Sequence, residues 1–186
     1  MDGAPNYHQR FALGGMSILA LGVLIGVLYA PTSGAVTTIS QSYTSKSDLA
    51  VGSIVSLETN STDRVVASTS QNAENIFGVV ISATGSLLTV TTDGESQVQV
   101  ATSGTLPVLV SDFNGDIKRG DHITGSPLSG VGMKASNNTR IIGIAQGEME
   151  GKKKEKYKTK DGQEKEVTVG QVTVLVNVAY FFKEPE

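Results

Sequence analysis

Val172-Thr-Val174-Leu-Val176-Asn-Val178-Ala-Tyr180 decides the fold class. Valine recurs at every second position, and side chains of an extended chain point alternately to its two faces, so one face is continuous valine and the other is mixed. A helix would scatter the same valines around its circumference. The segment therefore reads as a strand with one buried face, as on the wall of a barrel or a sandwich.

Upstream, from residue 48, short apolar runs are separated by Gly, Asn and Asp turns, which are strand signals. Strands are predicted at 53–58, 65–68, 76–82, 87–92, 97–102, 107–111, 122–124, 131–135, 141–146 and 172–180. No segment after residue 48 shows a helical period over ten residues or more. The predicted fold class is all-β, barrel or sandwich, with a domain over residues 48–183. The chain has 21 Gly, no Trp, no Cys and 5% aromatic residues. Its core must be built from Val, Ile and Leu, without disulfides or thiolate metal sites.

An internal echo suggests two related halves. Leu49-Ala-Val-Gly52-Ser-Ile-Val is followed 26 residues after its glycine by Ile76-Phe-Gly78-Val-Val. Ile117-Lys-Arg-Gly120-Asp-His-Ile is followed after 23 by Ile141-Ile-Gly143-Ile-Ala. In each, a Gly turn feeds a strand, and a later strand carries a Gly that lets the backbone approach its neighbour closely. Turn chemistry alone produces similar patterns, so a duplication and a coincidence of turns both fit.

The N-terminal part has a different character. Phe11 to Ala30, FALGGMSILALGVLIGVLYA, is an uncharged run of twenty. As a helix it spans about 30 Å, the thickness of a bilayer's hydrocarbon core, and is predicted to be one N-terminal transmembrane helix at 11–30. Arg10 and the terminal amine flank it on one side, and the next basic residue is Lys46. The excess of positive charge stays inside, so residues 1–10 are expected in the cytoplasm and the C-terminal domain outside the cell membrane. The rival is secretion after signal-peptide cleavage near Ala35, at Ser33-Gly34-Ala35. The run is longer than the usual signal core of about 7 to 15 residues. Gly22, Gly26 and Ala30 form a small-residue row on which two such helices pack closely and self-associate, although glycine is also simply common in membrane helices. Residues 31–47, rich in Thr and Ser, read as a flexible stalk.

Residues 148–167, EMEGKKKEKYKTKDGQEKEV, hold seven Lys and six acidic residues. Asp161-Gly162 is a type I′ turn signal, which predicts a protruding charged hairpin. Lys152, Lys153, Lys154, Lys156, Lys158 and Lys160 stand on its first arm against Glu155 alone. This arm is the candidate interaction surface for anionic lipid, wall polymer, glycan or an acidic envelope protein. The competing reading is a solvated hairpin whose lysines keep an exposed edge from pairing, with Glu164 and Glu166 neutralising them across the strands.

The second half also carries a resemblance. Asp112-Phe-Asn-Gly-Asp-Ile-Lys-Arg-Gly-Asp-His-Ile-Thr-Gly-Ser126, then Gly130-Val-Gly-Met-Lys-Ala135, Ile141-Ile-Gly143 and VTVLVN at 172–177, resembles a β module of tail-fibre-like and bacterial surface proteins. The shared pattern is a GD turn, a pGxaMKA strand, an IGxAL strand and a VLVN strand. With its N-terminal run, the chain is also similar to single-span exported proteins of episymbiotic candidate-phylum bacteria. The resemblance spans roughly residues 48–180 and implies a surface module. It implies no reaction, and the charged segment 148–167 interrupts its pattern.

Catalytic constellations are thin. The 18 acidic and 15 basic residues give a net charge of -3, which makes no case for nucleic acid as a partner. His122 with Asp116 or Asp121 is the one triad remnant, and neighbours within one turn seldom make that geometry. Ser126 with Lys134 is the remote hydrolase alternative, a Ser/Lys dyad lacking the Ser-Met-x-Pro motif of signal peptidases. Asp112-x-Asn114-x-Asp116 opens like a calcium loop, but Ile117 and Ile123 stand where such a loop needs Gly and Glu, so Asn114-Gly115 reads as a hairpin turn. No cofactor is expected. Asn60 and Asn137 begin sequons. The expected function is a non-enzymatic, membrane-tethered extracytoplasmic β-rich structural or interaction protein of the cell envelope.

Overall fold

The alternating run lies inside an 18-residue strand, Glu164–Phe181. Val172, Val174 and Val176 are buried, while Gln171, Thr173, Leu175 and Asn177 are exposed, so period two separates core from solvent. The computed structural model describes residues 38–82, 96–158 and 162–183. Its elements are β1 (Ile39–Ser45), β2 (Ile54–Leu57), β3 (Val65–Ala67), β4 (Ile76–Ile81), β5 (Ser96–Ser111), β6 (His122–Gly125), β7 (Gly132–Lys134), β8 (Thr139–Ala145), β9 (Glu150–Lys158) and β10 (Glu164–Phe181). One 3-10 turn, Ala73–Asn75, precedes β4. The fold is all-β. The expected strand at 87–92 lies outside the described residues, as do residues 1–10, the run 11–30 with Gly22, Gly26 and Ala30, and the cleavage signal near Ala35.

Two expectations need correction. Residues 39–45, assigned to the stalk, form β1, which pairs antiparallel with β5 from Ile39↔Ser103 to Ser45↔Ser96. Thr, Tyr and Ser fill its positions without an apolar alternation, which hid it from pattern reading. Tyr43 nonetheless packs edge-on to Phe77 at 5.1 Å and Ser45 is buried. Thr and Tyr suit a half-buried pleated surface. The β domain therefore includes β1 and starts before residue 48. The predicted strands 97–102 and 107–111 are also one strand, which stays paired through Gly104 at φ +121, against β1 up to Ser103 and against β10 from Ser103 onward.

The two halves repeat each other's register. β2 pairs with β4 through Ile54↔Val79 and Val55↔Gly78, and β6 pairs with β8 through His122↔Ile144 and Ile123↔Gly143. β2 meets β3 through Val55↔Ala67, Ser56↔Val66 and Leu57↔Val65. β6 meets β7 through Ile123↔Lys134, Thr124↔Met133 and Gly125↔Gly132. The Gly turns match in hydrogen bonds as well. The Gly52 N–H donates to the Val80 carbonyl at 2.8 Å and the Val80 N–H to Ser53 at 2.9 Å. Gly120 donates to Ala145 at 2.8 Å and Ala145 to Asp121 at 2.9 Å. A parallel contact, Thr44↔Arg64 in the first half and Val110↔Gly132 in the second, completes the correspondence.

Each half thus closes a circuit of pairings. The first runs β1-β3-β2-β4-β5 and returns to β1; the second runs β5-β7-β6-β8-β10 and returns to β5. β5 belongs to both, its N-terminal part closing the first circuit and its C-terminal part opening the second. The larger apolar cluster draws from both halves, joining Ile54, Val79 and Ala101 to Val108, Ile142 and Val174. A smaller one gathers Val55, Val65, Val80 and Val100 under Tyr43 and Phe77. Complete burial of each Val or Ile contributes about 1.5 to 3 kcal/mol, so aliphatic side chains suffice where tryptophan and disulfides are missing.

Gly78 and Gly143 occupy equivalent places, and each meets the backbone of the last strand of its half. A Cβ on Gly78 would lie 2.6 Å from the Ala101 carbonyl oxygen; one on Gly143 would collide with the Leu175 carbonyl. Gly78→Ala and Gly143→Ala should each lower Tm by about 3 to 10 °C through overpacking. Gly147→Ala, whose Cβ meets nothing within 4 Å, should leave Tm unchanged in the same calorimetric series.

Candidate functional site

The charged segment forms a two-stranded hairpin, as its turn signal predicted. β9 pairs antiparallel with the first part of β10, from Glu164↔Lys158 to Val169↔Lys153. Gly162 takes φ +80, the conformation a primed turn requires. Lys160 and Asp161 lie outside the described residues. Alternation puts Lys154, Lys156 and Lys158 on one face, opposite Thr168, Glu166 and Glu164.

Carboxylates reach these lysines diagonally. Lys154 Nζ lies 2.6 Å from Glu166 Oε1, and Lys156 Nζ lies 3.4 Å from Glu164 Oε2. The hydrogen bond from Lys154 to Glu166 raises the lysine's pKa above its ordinary value, with the carboxylate's charge adding to the effect. Both pairs are solvent-exposed, so they orient side chains and contribute little to stability. Among the described residues, Lys152, Lys153 and Lys158 have no carboxylate within ion-pair distance.

A clamp that sequence reading missed holds the hairpin from its middle, at Thr168, to near its turn, at Tyr157 and Lys165. The Thr168 N–H donates to Asp112 Oδ1 at 2.8 Å, and the Asp112 N–H donates to the Thr168 carbonyl at 3.0 Å. The Phe113 ring meets Tyr157 edge-on at 5.5 Å and carries the Lys165 ammonium 4.2 Å above its centroid. Lys165 Nζ also donates to the Phe113 carbonyl at 3.3 Å. Asn114 Nδ2 donates to the Lys134 carbonyl at 2.9 Å, tying the same turn to β7. The turn is closed by the Gly115 N–H on the Asp112 carbonyl at 2.8 Å. It does not join two paired strands, contrary to the hairpin expected at Asn114-Gly115, because the chain leaves β5 for β6, which is not β5's neighbour. The only sequence trace of the clamp was the aromatic at 113 between two polar turn residues.

Two clefts open among the described residues. One of about 180 Å³ lies beside the hairpin base, between Asp112, Asp116, Lys118, Glu148, Lys152 and Thr168. The other, about 290 Å³, opens between the 3-10 turn and strands β6 to β8, with Gln71, Glu74, Thr124 and Asn137 on its walls. Among the described residues no three His, Asp or Glu side chains are placed to hold a metal ion.

Ser126, Lys134, Asp121 and His122 have partners within the fold. Ser126 is buried, and its hydroxyl donates to the Leu128 carbonyl at 3.3 Å while accepting from the Leu128 N–H at 3.1 Å. Lys134 lies opposite Ile123 and its ammonium is 2.8 Å from Asp121 Oδ1. Asp121 also accepts from the Lys118 N–H at 2.8 Å, which engages both of its oxygens locally. His122 stacks on Phe181 with ring centroids 4.5 Å apart.

The raised pKa of Lys154 belongs to the folded hairpin, so its pairing contribution is present below the ordinary lysine pKa and disappears as pH rises through the folded value. Titration of the Lys154 Nζ by nitrogen-15 NMR should place its midpoint above the ordinary lysine value, and Glu166→Gln should bring the midpoint down. Phe113→Ala should speed amide hydrogen exchange along β9 while exchange in the buried strands β2 and β4 stays unchanged. The chain matches no protein-family model and no curated protein sequence.

Proposed function

We propose that this chain is a membrane-tethered, extracytoplasmic β module of the cell envelope that acts by contact and performs no reaction of its own. The observation that carries this reading is the uncharged run Phe11 to Ala30, long enough to span a bilayer, preceding a domain that is β throughout its described residues. Arg10 on the N-terminal flank against Lys46 on the other supports an inside N-terminus and an outside domain. The domain is read as two related five-stranded barrels sharing β5. A valine and isoleucine core without cysteine suits such a module whatever the redox state of its compartment.

The resemblance of 112–126, 130–135, 141–143 and 172–177 to tail-fibre-like and surface-protein β modules points the same way. In that reading Gly22, Gly26 and Ala30 pack anchors against one another, and the module presents its surface to envelope proteins. A second reading, binding of wall polymer or glycan, draws on Lys152, Lys153 and Lys158, which have no carboxylate partners among the described residues. Both readings agree on location and differ in the ligand.

Tags at each end, protease treatment of intact cells and alkaline extraction of membranes test the tether. Removal of the C-terminal tag from outside, with the N-terminal tag retained in extracted membranes, is the expected outcome. A soluble domain released with its N-terminus near Val36 would replace the anchor with a cleaved signal peptide.

A further inference from the structure

We infer that the outer edge of β9 is a docking strand for an extended acidic segment of a partner protein, which adds to the sheet beside the lysines. β9 stands last in the strand order, and β10 is its one strand partner among the described residues. Along Glu150–Lys158, every second residue therefore points its backbone N–H and C=O groups away from β10, leaving a row with no strand partner among the described residues. Residues 150–156 and 158 are exposed. A peptide backbone satisfies such an edge by strand addition; a polysaccharide or a lipid headgroup does not offer the matching alternation of donors and acceptors.

Charge selects the kind of strand. On one face of the hairpin, β10 contributes Glu164 and Glu166, and β9 contributes Lys154, Lys156 and Lys158. The ion pairs Lys154–Glu166 and Lys156–Glu164 run across the two strands. A third strand next to β9 places its side chains opposite these same lysines, and opposite charges across a pair of strands stabilise while like charges repel. Carboxylates on that strand continue the alternation from acid to base to acid. A second copy of β9 is excluded by the same argument, since pairing two such edges sets lysine against lysine. The lysines thus bar the chain from its own edge and admit an acidic one.

Rigidity distinguishes a docking strand from a merely guarded edge. Solvated lysines block unwanted pairing whether or not the strand is held straight. Here Phe113 packs on Tyr157 from β9 and takes Lys165 from β10 over its ring, while Asp112 fastens Thr168. A strand already held in the bound conformation loses less freedom when a partner adds to it. This inference deepens the contact-module reading and is independent of the membrane tether.

The test uses the full chain in detergent micelles and a fluorescent, end-capped octapeptide of alternating Glu and Thr, read by anisotropy. Saturable binding is expected. It should weaken at least tenfold when every second peptide amide is N-methylated, which removes edge hydrogen bonds and keeps the charge. It should also weaken at least tenfold in the Lys154→Glu, Lys156→Glu double variant, with circular dichroism confirming the fold. Lys46→Glu, at a lysine that lies beside Glu58 in the first half, should bind like the parent chain. Equal binding of the N-methylated peptide, or of polyglucuronate as the probe, would overturn the inference in favour of a charge-only surface for anionic polymers. An absence of peptide binding would overturn it outright, and leaves the protease result on location untouched.

Discussion

The structure depends on the continuity of β5. Its sixteen residues pair with β1 and β4 in their N-terminal part and with β7 and β10 in their C-terminal part. A break at Ser103-Gly104 would leave two incomplete circuits, each with a strand lacking its closing neighbour. Passing through that point unbroken, the strand closes one circuit and opens the next. The larger apolar cluster can then include Ala101 and Val108, which lie on the two parts of the same strand.

The halves share more than composition. Equivalent Gly turns make the same pair of hydrogen bonds, and equivalent glycines on β4 and β8 receive the backbone of the last strand of their half. Close packing of this kind depends on the missing Cβ, so the position is tied to the architecture and not to a ligand. The divergence between the halves lies in the connection to the last strand. Residues 82–95 carry Asp93 and Glu95 as their only charges, whereas the corresponding stretch of the second half carries the lysines of β9. Both contain an Asp-Gly step, Asp93-Gly94 and Asp161-Gly162. A shared framework with one heavily charged connection places the distinctive chemistry of this chain on the hairpin.

That hairpin stands out by its charge. Its ion pairs are exposed and inexpensive to exchange with water, so they arrange charge more than they stabilise the fold. Stability comes instead from aliphatic burial and from the clamp of Asp112 and Phe113 on the hairpin. Residues that resembled a hydrolase dyad or a calcium loop have partners within the fold. Ser126 closes its own turn, Lys134 meets Asp121, and Asp112 binds the Thr168 amide.

The sequence by itself determined the all-β class, most strand positions, the Gly-centred echo of the two halves and the existence of the lysine hairpin. Each is a local property: the period of side-chain direction, the conformational range of glycine, or the spacing of charges on one strand. Tertiary structure alone decided that Ile39–Ser45 is a strand, because its polar residues gain a reason to be extended only when β5 lies beside them. It also decided that β5 is continuous, that Phe113 and Lys165 meet across 52 residues, and which lysines find carboxylates. Those outcomes depend on contacts between segments far apart in the chain, and no local pattern encodes the partner.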